Sequence, residues 1–470
     1  MEIRNRQSFT YSKSNSNEGI NDESNNESDD SSRSIYKKLR VYICTWNVNT
    51  KSPNFNINDL FAFDADNPPD VCAFGALVMK KKTFQEVSST PLQRFYDFFY
   101  NDPWTNELDR ILSEKQYIRI QSTRLVGIML NIYVKRNILV HVKCCSDDWI
   151  RLGFWGFWGN KGANICAFKI GGINICFVNS HLSAHQHNDK IRLLEHAKIL
   201  YHSFRLEKAL EAVSDQNYLF FFGDLNFRIE NLESDLVKEL IDKKDYKTLQ
   251  ENDQLRKCIC KEKCFSIFKE DEIHFPPTYK FKINSDEYDL TKKDRVPSYC
   301  DRVLYKITKT DFLSCKSLNY NCIPSFKQSD HRPVYALFEV NALNWESDEP
   351  NVKFLEIFAN NDQNLEISYQ VSYAATTSQN DWIGIYDPSF RSFDDYVTYV
   401  WAAKIYELDD TKKDTKETLL GNSDLSKNFI RRKIVLEQKF IKNGYYMMGY
   451  FSSFSNCLIG LSSIFQIQLS

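Results

Sequence analysis

The sequence has no long apolar run. Its 470 residues contain no window that approaches the ~20 uninterrupted apolar residues of a membrane span. No apolar segment follows the charged start, Met1–Arg6, so a secretion signal is not recognisable there. We therefore expect a cytoplasmic protein.

An excess of charge of either sign is also missing. The chain has 60 Lys and Arg against 62 Asp and Glu, a formal net charge of -2 and a pI near 6.5. A protein whose surface wraps nucleic acid carries a strong basic excess. The balance argues against a nucleic-acid partner, and any basic site must be local.

The thirteen cysteines lack the context of a disulfide framework. Their number is odd, the chain is large, and no secretion signal accompanies them. Cys258, Cys260 and Cys264 have no histidines at the spacing of a zinc knuckle. We expect reduced thiols that bind no metal.

Composition and patterning divide the chain into three parts. Ser8 to Ser34 is rich in Ser, Asn, Asp and Glu and cannot bury enough apolar surface to offset the entropy of ordering. After Val340 an acidic stretch leads into short β-type runs. We predict a disordered head over residues 1–36, a catalytic domain over 37–342 and a β-rich domain over 343–470.

The middle part reads as mixed α/β. β-forming runs predict strands over Lys37–Trp46, Val71–Gly75, Gly127–Val134, Asn164–Ile170, Ile173–Asn179 and Tyr218–Phe222. Apolar residues at three- and four-residue spacings predict a helix over Asn188–Val213. The Gly171-Gly172 pair predicts a two-residue hairpin, so part of the sheet is antiparallel.

Polar motifs follow several of these strands, where a buried sheet can hold side chains toward one cleft. Each motif alone has an ordinary interpretation as a cap or a turn. Their joint occurrence in this order is hard to explain as caps. They are TWNVN at Thr45, FQEV at Phe84, NSHLSAH at Asn179, GDLN at Gly223, PSYCDR at Pro297 and SDHRP at Ser329.

Together with GNKGA at Gly159 and PPTYKF at Pro276, this set resembles the inositol polyphosphate 5-phosphatases over roughly Val41 to Val340. The resemblance implies a four-layer αββα sandwich of the exonuclease-endonuclease-phosphatase type. The nuclease relatives share the GD-x-N and SDH elements but lack the TYK and CDR versions present here. The phosphatase branch is therefore favoured.

The resemblance also implies roles for individual residues. Asn47 and Glu86 would hold one Mg²⁺, a hard ion suited to oxygen ligands. Asp224 would orient and deprotonate the attacking water. The other residues expected in catalysis are Asn226, His181, Asp301, His331 and Asp330.

Recognition of the inositol ring's other phosphates needs cations close to the reacting phosphate. Solvated surface charge is the plainer interpretation of such residues, but each of these lies inside a motif or beside one. The positions that match the family's phosphate-binding residues are Lys161, Asn160, Tyr279, Lys280, Lys293 and Arg295.

The second strand departs from the family pattern. Gly75 is followed by ALVMKKKT before Phe84-Gln85-Glu86-Val87, where the family has Gln-Glu directly after the strand. Either Ala76–Thr83 is an insertion and Glu86 is the metal ligand, or the frame is continuous and Val78 replaces the glutamate. The first interpretation preserves the whole FQEV string and is preferred.

The C-terminal part resembles the SKICH domain, an immunoglobulin-like β-sandwich, through DWIGIYDPSF at Asp381 and YYMMGYFSSF at Tyr445. This resemblance implies a protein partner or membrane targeting; support of the neighbouring domain is the plainer alternative. The aromatic residues between Phe154 and Trp158 face either a bilayer or the core.

The leading hypothesis is Mg²⁺-dependent removal of the 5-phosphate from phosphoinositide lipids or soluble inositol polyphosphates, at the plasma membrane or endoplasmic reticulum. A phosphoinositide-binding scaffold, inactive because of the insertion, is the alternative. A nuclease of the same superfamily is the third.

Overall fold

The computed structural model describes most of the chain between Ile35 and Ile467. The described residues are 35–64, 66–78, 102–153, 158–206, 209–260, 265–291, 295–345, 350–359, 364–402, 406–407, 429–436 and 442–467. The predicted head therefore lies almost wholly outside the described residues. Within them, no helix has the length and apolar character needed to cross a membrane.

Thirteen strands and five α-helices precede residue 344 in the described part of the chain. The strands are β1 (Tyr36–Asn47), β2 (Val71–Leu77), β3 (Tyr117–Leu125), β4 (Ile128–Lys135), β5 (Lys143–Gly153), β6 (Trp158–Ile170), β7 (Ile173–His181), β8 (Ser203–Leu206), β9 (Ala209–Ala212), β10 (Tyr218–Asp224), β11 (Asp301–Ile307), β12 (Cys315–Cys322) and β13 (Val334–Leu343). The helices are α1 (Pro103–Glu114), α2 (Asp189–Leu200), α3 (Ser234–Asp242), α4 (Tyr246–Glu251) and α5 (Gln254–Cys260).

Two mixed sheets form the centre of this region. One has the order β12-β13-β1-β2-β4-β3 and the other β11-β10-β7-β6-β5. The pairs β1–β2 and β7–β10 are parallel, whereas the other neighbours in the two sheets are antiparallel. Gly171 and Gly172, both with positive φ, form the turn between β6 and β7, so the predicted hairpin is confirmed.

The facing surfaces of the sheets share one apolar core, in which Val41 and Ile43 of β1 meet Phe220 and Phe222 of β10. Helix α1 packs on the outer face of the first sheet through Trp104. Helices α2 and α5 pack on the outer face of the second sheet. The resulting layers confirm the predicted αββα sandwich.

The predicted helix over Asn188–Val213 is wrong in its second half. Helix α2 ends at Leu200, and the hairpin of β8 and β9 follows it. At the helix end the Val213 N–H donates to the carbonyl of His202, whose ring contacts Asp148 at 2.7 Å. These tertiary contacts turn the chain where the sequence pattern alone continues the helix.

The buried face of α2 carries polar as well as apolar residues. Ile191 and Leu194, two of the apolar residues that predict the helix, are 46% and 72% exposed, whereas Arg192 and His196 are fully buried beside Ile199. Glu195 is buried beside them and accepts from both the backbone N–H and the hydroxyl of Ser183. Helix α2 therefore holds the loop that follows β7.

The C-terminal strands make two further sheets that pack face to face. Their shared core includes Ile367, Tyr369, Ile385 and Met448, and their orders are β14-β15-β19-β18 and β17-β16-β20-β21, with β22 beside β20. This β-rich region agrees with the predicted immunoglobulin-like sandwich. The strands are β14 (Val352–Ala359), β15 (Leu365–Ser372), β16 (Trp382–Tyr386), β17 (Tyr396–Trp401), β18 (Tyr406–Glu407), β19 (Phe429–Leu436), β20 (Gly444–Ser452), β21 (Cys457–Leu461) and β22 (Phe465–Ile467).

The sandwich contacts the edge of the first sheet. Strand β3 is the last strand of that sheet, and Arg119 in it forms a parallel bridge with Ser392. Arg136 donates to the carbonyl of Phe390 at 2.8 Å, and its guanidinium lies over the Phe390 ring. An exposed strand edge invites non-native pairing, and the sandwich covers part of this one.

Candidate active site

Three adjacent strands of the second sheet bring polar side chains to one end. Strands β7 and β10 end at His181 and Asp224, and β11 begins at Asp301. The register pairs Asp224 with His181 on one side and with Asp301 on the other. All three residues are buried. The sheet itself therefore fixes their spacing.

A glycine permits this close approach. Gly223, with φ of +128°, stands directly before Asp224, and a Cβ there would lie 2.0 Å from the Ser180 carbonyl oxygen. Any side chain would push β10 away from β7 and would also strain the backbone. The glycine of the GDLN motif is thus required by packing at the strand end.

The first sheet contributes Asn47 and the segment before β13. The Asn47 side chain donates to Asp224 Oδ2 at 2.9 Å, and its Nδ2 lies 3.3 Å from His331 Nε2. Trp46 donates through its indole to the carbonyl of His331, and Ser329 donates to the carbonyl of Asn47. These bonds join the ends of the two sheets around one cleft.

His331 and Asp301 form a buried pair. His331 Nδ1 lies 2.9 Å from Asp301 Oδ2, which also accepts from the Thr278 hydroxyl at 2.7 Å. Burial lowers the pKa of His331, but the charges of Asp301 and Asp224 outweigh it and raise the pKa to about 9. The ring is therefore a cation at neutral pH, with Nε2 turned toward Asp224 at 3.9 Å.

Asp224 is held as an anion in spite of its burial. Burial raises its pKa, but the positive charges of His331, His181 and Lys161 lower it below the usual value. The His181 ring contributes at 3.6 Å from Asp224 Oδ2. A buried, charged carboxylate in this position is able to orient a water molecule and accept its proton.

Lys161 of β6 lies within hydrogen-bonding distance of His181 Nε2, the same ring nitrogen that faces Asp224. Burial lowers the pKa of Lys161 to about 8, against the opposing charge of Asp224. The ammonium group is thus close to losing its proton under mildly alkaline conditions. It is a cation well placed to bind an anionic ligand.

A cleft of about 390 Å³ opens over these residues. The Tyr279 ring packs against the His331 ring at a tilt of 37°, with centroids 4.4 Å apart. The residues that line the cleft are Asn47, Asn49, Thr50, Lys161, His181, Ala184, Asp224, Asn226, Arg228, Tyr279, Asp330 and His331. Of the predicted catalytic residues, only Asp301 is outside this lining, directly behind His331.

The remaining predicted residues lie further out or outside the described part. Lys280 pairs with Asp330 at 3.2 Å and Arg295 pairs with Asp289 at 2.7 Å, and neither cation lines the cleft. Asn160 lies in β6, and its side chain is outside the described residues. Glu86, Lys293 and the aromatic residues 154–157 are outside them as well.

The segment predicted to be an insertion, Ala76–Thr83, begins inside a strand. Strand β2 continues through Ala76 to Leu77, both buried, and Leu77 pairs with Asn47. Val78 packs against the core beneath α1. The first residues of ALVMKKKT therefore belong to the sheet, because their apolar side chains extend the buried strand. Whether Glu86 or Val78 stands at the position of the family's metal ligand depends on where Glu86 lies, and Glu86 is outside the described residues.

Arg228 is the main residue that sequence reasoning did not assign. It lines the cleft, and its guanidinium lies 4.5 Å from the centroid of the Tyr279 ring. A signal was available, because Arg228 stands two residues after the last residue of the GDLN motif and carries the charge that a phosphate site needs.

The donor set fits a hard divalent cation. Carboxylate oxygens of Asp224 and Asp301 lie within 4.8 Å of each other and of a ring nitrogen of His331, and because that ring is protonated the two carboxylates are the available donors. The amide of Asn47 adds an oxygen at the same end of the sheets. Oxygen-rich sites with carboxylates are typical of Mg²⁺ and Ca²⁺. Asp301 Oδ1 is buried without a hydrogen-bond partner among the described residues, which leaves one carboxylate oxygen unused.

Known proteins share both parts of the chain. Residues 44–337 match the Endonuclease/Exonuclease/phosphatase family 2, and residues 352–467 match the SKICH domain. Inositol polyphosphate 5-phosphatase K of Mus musculus is 30% identical over 385 residues, which are 77% of this chain and 79% of the relative. Phosphatidylinositol 4,5-bisphosphate 5-phosphatase A of Homo sapiens is 29% identical over 447 residues, 92% of this chain and 42% of the relative.

A solved structure agrees with these matches. It is the inositol polyphosphate 5-phosphatase domain of SPsynaptojanin in complex with inositol (1,4)-bisphosphate and a calcium ion. The TM-score is 0.55 at 29% identity, covering 66% of this chain and 86% of the other. The relative binds an anionic ring and a divalent cation on the same fold.

Proposed function

Because the chain belongs to the inositol polyphosphate 5-phosphatase family, a family of phosphoric monoester hydrolases, we propose that its cleft removes the 5-phosphate of phosphoinositides and of soluble inositol polyphosphates with Mg²⁺. The observation that carries the proposal is the convergence of Asn47, Asp224 and His331 from two sheets, with polar atoms of the three side chains 2.9 to 3.9 Å apart. The ligands named for SPsynaptojanin support the substrate class, since inositol (1,4)-bisphosphate is what remains when the 1,4,5-trisphosphate loses its 5-phosphate.

The residues of the cleft divide the chemical work. Asp224, held as an anion, orients the attacking water and takes its proton. His331, a cation fixed by Asp301, and Lys161 hydrogen-bond the phosphate oxygens as charge moves onto the leaving oxygen. His181 and Asn226 complete the ring of polar groups around the phosphate. Phosphate monoesters resist attack because they are anionic, so neutralising charge is the main task.

Asn47 and Glu86 are the residues proposed to hold the Mg²⁺. When bound, the ion withdraws charge from the scissile phosphate. The Asn47 side chain donates to Asp224 and its Oδ1 accepts from the Asn49 N–H at 3.2 Å, so an amide oxygen is available at this strand end. Glu86 would add a carboxylate ligand for the ion, provided that the segment containing FQEV lies beside the cleft.

Recognition of the ring's other phosphates is assigned to the cleft's outer residues. Tyr279, Lys280, Arg295, Asn160 and Lys293 are proposed to read the 4-phosphate. Lys280 and Arg295 are paired with acids, so a substrate phosphate would compete with Asp330 and Asp289 for them. Asp330 supports the same end of the cleft.

We further propose that residues 37–342 form the catalytic domain and 343–470 the targeting domain. The gap between β13, which ends at Leu343, and β14, which begins at Val352, supports this boundary. The match to the SKICH domain supports a protein partner or peripheral contact with a membrane surface. A cytoplasmic location at the plasma membrane or endoplasmic reticulum follows from the proposed lipid substrates.

Phosphate release measured with malachite green tests the proposal. The full chain is assayed with Mg²⁺ on vesicles of phosphatidylinositol 4,5-bisphosphate or 3,4,5-trisphosphate and on inositol 1,4,5-trisphosphate. Release that EDTA abolishes and Mg²⁺ restores supports it. Lipid binding without turnover selects the scaffold alternative, and cleavage of an abasic duplex selects the nuclease.

A matched variant tests the insertion. Residues 79–83 are deleted, which leaves the buried strand residues Ala76 and Leu77 in place. If Glu86 is the ligand and the insertion displaces it, the deletion increases turnover. If Val78 stands in place of the metal ligand, Glu86→Ala leaves the rate of phosphate release unchanged.

A further inference from the structure

Arg228 lines the proposed active site, where none of the roles in binding or hydrolysis proposed above belongs to it. Its Nη2 donates to Asn226 Oδ1 at 2.7 Å, and its guanidinium lies over the Tyr279 ring. Its Nε is buried and has no hydrogen-bond partner within the described part of the chain. A buried guanidinium that contacts two proposed site residues calls for an explanation beyond surface charge.

The Asn226 amide is bound at both ends. Its oxygen accepts from Arg228, and its Nδ2 donates to the carbonyl of Leu182 at 3.1 Å. A guanidinium only donates and a carbonyl only accepts. A flipped amide would place two donors against each other on one side and two acceptors on the other. The contacts therefore permit one orientation of the amide.

That orientation leaves one N–H of Asn226 uncommitted. The side-chain NH₂ group has two hydrogens, and Leu182 takes one of them. Asn226 lines the cleft, where the phosphate of the substrate offers oxygens that only accept. The opposite orientation would turn a carbonyl oxygen toward an anion and repel it.

We propose that Arg228 is a positioning residue for phosphate hydrolysis, which fixes the Asn226 amide so that its N–H faces the scissile phosphate. The inference rests on the proposed function, since it assigns the phosphate to this cleft. Arg228 acts through Asn226 and needs no contact with the substrate.

The backbone around Arg228 is rigid enough for this role. The N–H of Arg228 donates to Gln254 Oε1 at 3.0 Å, and the Gln254 N–H donates to the Arg228 carbonyl at 3.0 Å. Helix α5 thus holds the residue from both sides. The guanidinium also lies over the Tyr279 ring, which in turn packs against the ring of His331.

Kinetics of full-length variants with Mg²⁺ and inositol 1,4,5-trisphosphate test the inference. Arg228→Met is expected to lower kcat about ten- to a hundredfold with KM nearly unchanged, the effect of losing a charge-assisted hydrogen bond. Arg228→Lys recovers part of the loss because an ammonium still donates to Asn226. Arg110→Met is the control, since Arg110 is exposed on α1 and pairs with Glu107 and Glu114.

A double-mutant cycle separates positioning from direct contact. In an Asn226→Ala background, Arg228→Met is expected to lower kcat by less than about threefold, because the group it orients is gone. The inference is overturned if Arg228→Met lowers kcat by the same factor with and without Asn226. It is also overturned if Arg228→Met raises KM and leaves kcat unchanged. Equal thermal unfolding midpoints of the variants exclude a folding defect as the cause.

A spectroscopic readout decides the same point without turnover. In chain labelled with ¹⁵N-asparagine, the side-chain signals of Asn226 are those lost in Asn226→Ala. They are expected to shift in Arg228→Met and to stay in place in Arg110→Met; unchanged signals in Arg228→Met would overturn the inference. Absence of phosphate release by the wild-type chain contradicts the proposed function, and the amide signals still decide the positioning role.

Discussion

The floor and the rim of the cleft are built in different ways. The floor is the set of residues at or near the strand ends, Asn47, His181, Asp224, Asp301 and His331, all of them buried except the half-buried Asn47. The rim is the set of charged residues on the loops above it, Lys280, Asp289, Arg295 and Asp330. The side chains of Asp224 and Asp301 are 3% and 0% exposed, whereas those of Lys280 and Arg295 are 23% and 31% exposed.

This difference separates two tasks. Floor residues are fixed by strand register and by bonds between the sheets, so their charges act at full strength in a site with little water. Rim cations are partly hydrated and already paired with acids, so their attraction for a ligand is weaker and screened by salt. Changes in the floor should therefore lower kcat, and changes in the rim should raise KM.

The largest effect is expected for Asp224→Asn. The substitution keeps the shape but removes the proton acceptor, and kcat should fall about a thousandfold. Phosphate release at saturating inositol 1,4,5-trisphosphate measures it, with exposed Asp235→Asn as the matched control. A variant that retains a tenth of the activity would show that the base lies elsewhere.

The second-largest effect is expected for Asp301→Asn, which should lower kcat about a hundredfold. The substitution removes the negative charge that orients the His331 ring and keeps it protonated. Thr278→Val removes only the hydroxyl that donates to Asp301 and should lower kcat a few-fold. Steady-state kinetics of both variants give the ranking. The reverse order would contradict the buried pair as the larger contribution.

Lys161, which contacts His181 of the floor, should make activity decrease at alkaline pH. Its pKa near 8 means that the ammonium is charged below that pH and neutral above it. kcat/KM should fall as pH rises through about 8, by roughly tenfold in total, since one phosphate contact loses its charge. Lys161→Arg should remove this decrease, because a guanidinium stays charged. A pH profile that the substitution leaves unaltered would assign the titration to another group.

The smallest effect is expected at the rim. Lys280→Met should raise KM a few-fold with little change in kcat, and higher ionic strength should shrink the difference between variant and wild type. The contrast is sharpest between inositol 1,4,5-trisphosphate and a ring that lacks the 4-phosphate, for which the variant should behave as the wild type. An equal effect on both rings would contradict 4-phosphate reading by Lys280.

The sequence predicted the floor better than the elements around it. Asn47, His181 and Asp224 follow or end β-forming runs, and polar side chains at strand ends can be held toward one cleft by buried sheets. Their motifs therefore indicated where these side chains gather. The fold class followed from the same motifs and is confirmed, together with the SKICH region, by the matches over residues 44–337 and 352–467.

The misses share one cause, which is contact between residues distant in sequence. Apolar periodicity extended helix α2 too far, because contacts of residues beyond Leu200 with distant segments turn the chain there. The contact of Arg228 with Tyr279 joins residues about fifty positions apart, and patterns within a short window do not show it.

The position of the bond that is broken tests the central claim most directly. ³¹P NMR of inositol 1,4,5-trisphosphate incubated with the full chain and Mg²⁺ should show the 5-phosphate signal replaced by inorganic phosphate, with the 1- and 4-phosphate signals retained. Loss of the 1- or 4-phosphate instead, or an unchanged spectrum with fully folded chain, would contradict a cleft whose floor attacks the 5-phosphate while its rim reads the neighbouring one.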